Sequence, residues 1–366
     1  MTLDMKKIVS ILVLAAIALG VNAQNMKDVT FQFTEASDLT LCGKMFNDTP
    51  TPYQRMDFSK SDKWSSKDIN LLEMSSGISV AFETDSPIIT VKVDWLEASE
   101  AQSSGFGTRG FDLYIKKDGK WLWAGIVSGR VSEEPYHARI VGNMKEGMKE
   151  CLLYLPLYSK EKSIQIGTKE GSVIRPGKAP FRHKICLHGS SYMHGSNTSR
   201  SGATVPAYLT RLTGLQFCSL GVGGDCFMQP SFREALTAAE ADAFVFDAFS
   251  NGSDKTIEKN LFAFIESIQS THPGVPLIFM SSIYREKRNF DTAVEKSEAD
   301  KDAMARKLMA EAVKKYKDVY FIESNASNEY HDTTADGTHP CSDGYWIWAM
   351  SVKKQIVKIL GKYGIK

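Results

Sequence analysis

The sequence predicts an α/β fold, in which a parallel sheet with helices on both faces follows an all-β sandwich domain. Two observations indicate this division. From residue 24 to about residue 180, apolar and polar residues alternate in short runs, separated by turns rich in Gly, Asp and Ser, as antiparallel strands do. From about His183 onward, continuously apolar runs alternate with amphipathic helical runs, which is typical of parallel strands covered by helices.

The first 23 residues are predicted to be a signal peptide. Lys6 and Lys7 precede an apolar run, residues 8–20, that is too short to span a bilayer comfortably. Small residues then lead to a cleavage site after Ala23. The alternative is a membrane anchor. We expect an exported protein, periplasmic or extracellular, without a membrane anchor.

Charge and length limit the possible partners. The chain has 366 residues with 44 basic and 43 acidic side chains, and removal of residues 1–23 leaves the two signs balanced. A neutral chain without a basic block argues against nucleic acid or an anionic membrane as partner. The length suggests two domains, which we expect at residues 24–178 and 179–366. The sequence does not predict an oligomeric state.

The strands of the sandwich follow from period-two alternation. Asp118 and Gly119 lie between two alternating runs and predict a tight hairpin. The runs that predict strands are residues 77–85, 87–95, 110–125 and 162–168. Each such strand packs one face inward and presents the other to water.

The second domain reads as strands and helices in strict alternation. The predicted strands are residues 184–190, 215–221, 243–249, 275–282 and 318–324. The predicted helices are residues 203–214, 232–240, 256–269, 298–316 and 345–361. The segment rich in Gly, Pro and basic residues at 171–183 marks the domain boundary.

Polar, glycine-containing loops follow four of these strands, and ligands of open parallel sheets bind beyond the carboxyl ends of strands. The loops read GSSYMHG, GVGGDC, SNGSD and NEYHDTTADGTHPCSDG. Taken singly, each has a simpler explanation as a turn or a helix cap. Taken together, they bring to one sheet edge the residue types that acyl transfer requires.

A serine hydroxyl becomes a nucleophile when a base lies within hydrogen-bond reach. His339 can be that base, and Asp336, three residues earlier, can orient and stabilise its imidazole. The backbone N–H of Ser191, the N–H of Gly224 and the amide of Asn251 can serve as donors to an oxyanion.

These residues resemble the SGNH (GDSL-like) hydrolases, whose four sequence blocks are matched in order. The blocks are GSS, SLGVGGD, DAFSN and DGTHP. The resemblance implies a flavodoxin-like domain with Ser191 as nucleophile, because Ser190 stands where the family usually has Asp or Thr. It also implies a catalytic role for Asp336 and His339, and oxyanion donors at Ser191, Gly224 and Asn251.

The first domain resembles a second family feature. Residues 110–114 read GFDLY and are similar to the GxDLY domain that precedes the hydrolase domain in bacterial SGNH-type esterases. This resemblance implies a jelly-roll-like β-sandwich packed on the hydrolase. A structural role for the sandwich and direct sugar binding are both compatible with the sequence.

No cofactor or metal is expected. The six cysteines show no CxxC spacing and the seven histidines no HExxH spacing. Cys226 lies two residues after Gly224, and Cys341 lies two residues after His339. If these loops meet, the two cysteines either approach to disulfide distance or remain free thiols near the site.

The resulting hypothesis is a secreted serine esterase that removes small acyl groups, acetyl above all, from carbohydrate. Its expected partner is therefore an acylated small molecule or polysaccharide. The alternatives are a lipase or thioesterase acting on longer acyl chains, and a non-catalytic glycan-binding protein on the same fold. The tryptophans that can stack on sugar rings or belong to the core are Trp95, Trp121, Trp123, Trp346 and Trp348.

Overall fold

A computed structural model describes residues 26–59, 63–99, 104–128 and 136–366. The predicted signal peptide lies outside the described residues. Within them, no helix combines the length and the apolar character needed to cross a membrane.

The first domain consists of antiparallel strands arranged in two sheets. The strands are β1 (Phe31–Glu35), β2 (Thr40–Cys42), β3 (Ser79–Thr84), β4 (Ile89–Ala98), β5 (Gly110–Lys117), β6 (Lys120–Ser128), β7 (Tyr136–Val141), β8 (Lys149–Tyr154), β9 (Ser159–Lys169) and β10 (Ile174–Pro176). One sheet has the order β1-β9-β4-β7. The other has the order β10-β3-β8-β5-β6, and β2 pairs with β3. The predicted all-β domain is therefore confirmed.

The inward faces of these two sheets form one core. Buried side chains that alternate along β3 and β5 meet those of β4 and β9. The predicted hairpin joins β5 to β6, and Asp118 (φ 51°) and Gly119 (φ 75°) both take the left-handed conformation, as a type I′ turn requires. Two short helices, α1 (Ser66–Leu72) and α2 (Gly105–Thr108), interrupt the strands.

The second domain is built on a parallel sheet with the order β12-β11-β13-β14-β15. These strands are β11 (Arg182–Gly189), β12 (Leu215–Gly221), β13 (Ala243–Asp247), β14 (Leu277–Met280) and β15 (Val319–Ile322). Pairing thus changes from antiparallel to parallel between Pro176 and Arg182. The predicted boundary at residue 178 lies in this interval.

Helices cover both faces of the parallel sheet, as predicted. They are α3 (Ser191–His194), α4 (Val205–Thr213), α5 (Pro230–Thr237), α6 (Asp254–Thr271), α7 (Thr292–Lys315) and α8 (Ser342–Gly361). Apolar side chains of α5, α6 and α7 pack on one face. Those of α3, α4 and α8 pack on the other. The α/β architecture is therefore confirmed, and each helix buries an apolar stripe against the sheet.

A buried arginine joins the two domains. Arg55 Nε donates to the carbonyl of Met74 (3.0 Å), and Nη2 donates to that of Leu71 (2.6 Å), both in the first domain. Its Nη1 lies 3.3 Å and 3.2 Å from the carbonyls of Ser219 and Gly221, in the second domain. Burial lowers the pKa of Arg55 to about 9, and its partners are carbonyl oxygens from both domains together with His194 Nδ1, 3.2 Å from Nη2.

The sandwich also contains a carboxyl group held without a charge partner. Glu161 on β9 is 2% exposed, and neither of its oxygens has a hydrogen-bond partner among the described residues. The adjacent Ser75 hydroxyl donates its hydrogen bond to the carbonyl of Pro156, and its influence on the carboxyl lowers the pKa by less than burial raises it. Burial therefore raises the pKa of Glu161 well above its usual range, which favours the neutral form of this side chain in the folded protein.

We expect Glu161→Gln to stabilise the protein at neutral pH. Above the ordinary glutamate pKa of about 4.3, the unfolded chain releases the proton that the folded chain keeps, so wild-type stability falls as pH rises. The neutral amide removes this cost. Thermal unfolding at pH 7 should show a melting temperature a few degrees higher than wild type. The difference should disappear below about pH 4, and a lower melting temperature at pH 7 would contradict the assignment.

Candidate functional site

The carboxyl ends of the three neighbouring strands β11, β12 and β13 meet at one edge of the sheet. The loops that follow them carry Ser191, Gly224 and Asn251, and the loop before α8 adds Asp336 and His339. The order of the strands in the sheet therefore brings four polar loops together. This is expected of an open parallel sheet, in which ligands bind beyond the carboxyl ends of the strands.

A tight turn presents Ser191 at the end of β11. Ser190 is the N-cap of α3, and its hydroxyl accepts a hydrogen bond from the backbone N–H of Tyr192. A Cβ at Gly189 would lie 2.7 Å from the Cβ of Asp247 and 2.5 Å from Cγ of Met193. Glycine is needed at position 189 because β11 runs directly against β13 at this point.

Ser191, His339 and Asp336 form a continuous hydrogen-bonded row. Ser191 Oγ lies 3.0 Å from His339 Nε2, and His339 Nδ1 lies 2.8 Å from Asp336 Oδ2. This geometry places a base beside the hydroxyl and a carboxylate beside the base. The structure thus brings together the three residues selected from the sequence, while their roles in catalysis stay a prediction.

Asp336 is held as a carboxylate. Partial burial would raise its pKa, but hydrogen bonds from the backbone N–H and the imidazole of His339, and from the N–H of Thr338, outweigh that effect and lower the pKa to about 2. The group is therefore ionised throughout the neutral pH range.

The glycine loop after β12 reaches Ser191 closely. A Cβ at Gly223 would lie 3.9 Å from the Cβ of Ser191 and 3.6 Å from Leu71 Cδ1. Gly224 takes a left-handed backbone conformation (φ 66°), and a Cβ there would lie 3.1 Å from Lys67 Nζ. The loop is therefore packed between the serine on one side and α1 of the first domain on the other.

Asn251 follows β13 and is fixed by its carboxamide oxygen. Its Oδ1 accepts a hydrogen bond of 3.2 Å from the backbone N–H of Cys226, in the glycine loop. The NH₂ end of the same amide is directed away from that contact. Asn251 is thus held by the loop that carries Gly224, in an orientation that keeps its donor end for another acceptor.

Asp247 is a buried carboxylate that joins two of these loops, and it was not among the residues predicted from the sequence. Its Oδ2 accepts hydrogen bonds from the Ser190 hydroxyl (2.6 Å) and the Ser190 N–H (3.1 Å), and its Oδ1 accepts from the Ser250 hydroxyl. Burial raises the pKa of Asp247 despite these bonds. Asp247 therefore fixes the residues immediately before Ser191 and before Asn251.

Arg285 supports the same site from behind. Its Nε donates to the Tyr192 hydroxyl at 2.9 Å, and its Nη1 pairs with Glu298 Oε1 at 2.9 Å. The Tyr192 ring stands edge-on to the His339 imidazole with 5.6 Å between ring centroids. Tyr192 thus fills the space behind the imidazole and restricts its rotation.

The site residues that were not predicted differ in how far the sequence could have indicated them. Asp247 ends a buried strand within the block DAFSN, so its place at the carboxyl end of a strand could have predicted it as a site residue. Lys67 and Leu71 lie in α1 of the first domain, more than a hundred residues from the motifs they contact. Nothing in the local sequence of α1 indicates that it lines the site.

The possible disulfide between Cys226 and Cys341 is not formed, and all six cysteines are free thiols. The Cys226 side chain is fully buried, with Sγ 3.6 Å from His188 Nε2 and 3.7 Å from the carbonyl oxygen of Asp247. Cys341 is the N-cap residue of α8 and is half-buried. The disulfide alternative is therefore wrong, because the Cys226 thiol points into the core.

Comparisons with known proteins agree with this architecture. A family described as the N-terminus of SGNH-hydrolase-type esterases, GxDLY, matches residues 31–174. The GDSL-like lipase/acylhydrolase family matches residues 182–357. No curated protein sequence matches the chain.

Three solved structures illustrate the likeness. A protein from Bacteroides ovatus described as a GDSL-like lipase is 33% identical, with a TM-score of 0.85 over 91% of this chain and 98% of its own. A salicylyl-acyltransferase from a tetracycline biosynthetic pathway is 20% identical, with a TM-score of 0.72 over 92% and 99%. A family two carbohydrate esterase from Cellvibrio japonicus is 12% identical, with a TM-score of 0.57 over 91% and 98%, and shares the fold.

The Bacteroides ovatus protein combines substantial identity with nearly complete coverage of both chains. The two family matches cover the sandwich and the α/β domain in turn. The chain is therefore an ester-hydrolysing enzyme that belongs to the GDSL-like lipase/acylhydrolase family and carries the GxDLY domain of SGNH-hydrolase-type esterases at its N-terminal side.

Proposed function

We propose that the protein is a secreted serine esterase that hydrolyses small acyl esters, acetyl in particular, on carbohydrate. The observation that carries the proposal is the row Ser191 Oγ–His339 Nε2–Asp336 Oδ2, with distances of 3.0 Å and 2.8 Å. A hydroxyl, a base and a carboxylate in this order are what acyl-enzyme chemistry needs.

In the proposed first step, Ser191 Oγ attacks the ester carbonyl while His339 Nε2 takes the hydroxyl proton. Asp336 holds Nδ1–H and stabilises the imidazolium that forms. The tetrahedral intermediate then collapses, and His339 gives the proton to the departing sugar oxygen. Water, activated by the same imidazole, releases the acid from the acyl-enzyme and restores the Ser191 hydroxyl.

The developing oxyanion is assigned to three donors, namely the N–H groups of Ser191 and Gly224 and the amide of Asn251. The bond from Cys226 N–H to Asn251 Oδ1 supports this role, because it fixes the amide before substrate arrives. Donors that need no reorganisation stabilise the transition state more than the ground state.

We expect Asn251→Ala to lower kcat by about 10²–10³-fold with a much smaller change in KM. Initial rates over a range of p-nitrophenyl acetate concentrations give both values. Ser253→Ala is a suitable control, since Ser253 caps α6 two residues further along the same loop. An effect of Asn251→Ala confined to KM would mean that Asn251 only holds substrate.

Two cavities of the described structure lie away from the proposed nucleophile. A cavity of about 450 Å³ lies between residues 45–57 and α5, with Trp64 in its wall. Another of about 450 Å³ lies between α4 and the C-terminal part of α8. Neither is lined by Ser191 or His339, so neither provides an apolar tunnel for a long acyl chain at the nucleophile.

The carbohydrate part of the proposal is supported by the shared fold of the Cellvibrio japonicus carbohydrate esterase. Two of the tryptophans considered for sugar stacking are also open to solvent. Trp123 is 54% exposed and Trp346 is 42% exposed, whereas Trp95 and Trp348 are buried in the two cores. Exposed tryptophan rings are suited to packing against sugar rings.

The proposal is tested by release of acid from a graded set of esters. We expect turnover of p-nitrophenyl acetate to exceed that of the butyrate and octanoate esters, and acetate release from acetylated xylan or other acetylated glycans. Faster hydrolysis of octanoate would favour the lipase or thioesterase alternative. Glycan binding without acid release from any ester would favour the non-catalytic alternative.

Export is proposed from the sequence of residues 1–23. Expression with these residues in a bacterial host, followed by fractionation and N-terminal sequencing, should give a mature protein outside the cytoplasm that begins at Gln24. An uncleaved chain in the membrane fraction would indicate an anchor instead.

A further inference from the structure

The loop of residues 196–202, which follows α3, lies between the sandwich domain and the Asp336–His339 turn. One end is held by the GxDLY residues of β5, and the other contacts the carboxylate that partners the imidazole. None of the triad residues Ser191, His339 and Asp336 lies in this loop. Its contacts link the two domains physically at the site.

Asp112, the aspartate of the GxDLY motif, holds the loop from the sandwich side. It is fully buried, and its Oδ2 accepts hydrogen bonds from Arg200 Nη1 (2.7 Å) and from the N–H of Gly202 (2.9 Å). Its Oδ1 accepts from Trp123 Nε1 at 2.9 Å. A Cβ at Gly202 would lie 2.6 Å from both Asp112 Oδ2 and Tyr114 Cε2, so the loop is pressed directly onto the motif.

Further contacts fix the same end of the loop. The Ser201 hydroxyl donates to the carbonyl of Gly110 at 3.1 Å, and the Ser104 hydroxyl donates to that of Ser199 at 2.6 Å. Arg200 also bonds the Tyr114 hydroxyl. Three of the five GxDLY residues thus bind this one loop.

The other end of the loop meets the site. Asn197 Nδ2 donates to Asp336 Oδ2 at 3.3 Å, the same oxygen that accepts His339 Nδ1–H. The N–H of Ser199 donates to Ser342 Oγ at 3.0 Å, where α8 begins directly after the Asp-His turn. The loop therefore contacts the turn through Asn197 and the following helix through Ser199.

We propose that Asn197 is a positioning residue for Asp336, and that Asp112 holds Asn197 in place, so that the sandwich domain orients the imidazole of the hydrolase domain. The inference rests on the proposed function, because it assigns Asp336 the task of orienting His339. Asn197 gives Asp336 Oδ2 a second hydrogen bond beside that of His339 and so limits rotation of the carboxylate.

An alternative explanation for Asn197 is its backbone. Its φ is 64°, a left-handed conformation that asparagine tolerates better than most residues do and that glycine adopts freely. Asn197→Gly therefore removes the amide while keeping this backbone conformation accessible. If Asn197 served only the turn, glycine would replace it without loss.

Charged groups around the imidazole set the expected pH response. Asp336 lies on its own turn, Arg285 stands behind the Tyr192 ring, and Lys287 packs against Gly337. Asn197→Asp would add a second negative charge on the side of Asp336. An added carboxylate favours the protonated imidazole, so the acid limb of kcat/KM should move to higher pH by roughly half a unit to one unit.

The experiment measures kcat, KM and the pH profile for Asn197→Gly and Asn197→Asp with p-nitrophenyl acetate. We expect Asn197→Gly to lower kcat about tenfold with little change in KM, because small misplacements of catalytic groups reduce rates strongly. Wild-type kcat in Asn197→Gly would overturn the positioning role. If the acid limb of the kcat/KM profile of Asn197→Asp lies at the wild-type pH, residue 197 is not close to Asp336 as proposed.

A double-mutant cycle tests the link to the sandwich. Asp112→Asn should lower kcat several-fold in the wild-type background and by less than about twofold in the Asn197→Gly background, since residues acting through one another are non-additive. Additive effects would overturn the link. Arg200→Gln provides the same cycle if Asp112→Asn does not fold. Asp94→Asn, at a surface ion pair with Lys162 in the same domain, is the control.

The two proposals fail separately. If Ser191→Ala keeps its activity, the proposed function is wrong, and the Asn197 variants then no longer measure the positioning of a catalytic triad. If Ser191→Ala is inactive while Asn197→Gly behaves as wild type, the triad stands and only the inference about Asn197 and Asp112 is wrong.

Discussion

Ser191→Ala is expected to lower kcat for ester hydrolysis by about 10⁶-fold while the fold is retained. Without the hydroxyl no acyl-enzyme forms, and a triad that lacks its nucleophile commonly loses about this much. Ser191 lies within a tight turn but makes its side-chain contact with His339, so its removal disturbs little packing. Steady-state rates with p-nitrophenyl acetate, together with circular dichroism, measure both parts of the expectation.

Ser190→Ala is the matched control, because it removes a hydroxyl from the adjacent position. The Ser190 hydroxyl donates to Asp247 Oδ2 and accepts from the N–H of Tyr192, so it serves the turn and the helix cap. Its loss should cost about 1 kcal/mol of stability and leave substantial activity. An inactive Ser190→Ala beside an active Ser191→Ala would reverse the assignment of the nucleophile.

His339→Ala is expected to lower kcat by an amount close to that of Ser191→Ala, because nucleophile and base act as a unit. Asp336→Asn should lower kcat by about 10⁴-fold or less, since it alters the imidazole tautomer while the base remains. With the Asp336 pKa at about 2, that carboxylate does not titrate between pH 5 and 8. The decline of kcat/KM toward acid pH should therefore come from groups other than Asp336, with His339 as the proposed base.

Two measurements can contradict this assignment. A pH profile of kcat/KM that is flat between pH 5 and 8 would exclude His339 as the base. Activity of His339→Ala within tenfold of wild type would do the same, whatever the profile. Lys354→Ala, at an exposed position of α8 far along the helix from the turn, serves as a control for expression and folding.

The fold could be predicted from the sequence because the patterns that indicate it lie within short stretches of the chain. Each strand of the parallel sheet, from β11 to β15, is a short apolar run, and each is followed by a helix with one apolar stripe. The hairpin at Asp118 and Gly119 was equally local. Period and turn chemistry depend on neighbours in the chain, so they can be recognised without knowledge of the tertiary structure.

The candidate site was only partly accessible. Ser191, Gly224, Asn251 and the Asp-His pair each stand at a strand or loop end, where topology alone predicts convergence. The residues that hold them in place are joined by long-range contacts. Asn197 meets Asp336 across 139 residues, and a contact of that kind leaves no periodic or compositional trace.

The two cysteines show how a correct topology can still give a wrong contact. The loops that carry Cys226 and Cys341 do converge, since Gly223 and His339 both approach Ser191. Side-chain direction decides whether two thiols meet, and Cys226 turns inward against His188. Sequence spacing relative to motif residues carries no information on that direction.

Arg55 bears on how such enzymes can change partners during evolution. Its guanidinium belongs to the first domain, yet two of the carbonyls it bonds end the strand that leads into the glycine loop. A hydrolase domain inherited without its sandwich would leave those carbonyls unbonded beside the site, and a foreign sandwich would have to supply an arginine at the same point. The two domains are therefore less freely interchangeable than their separate folds suggest.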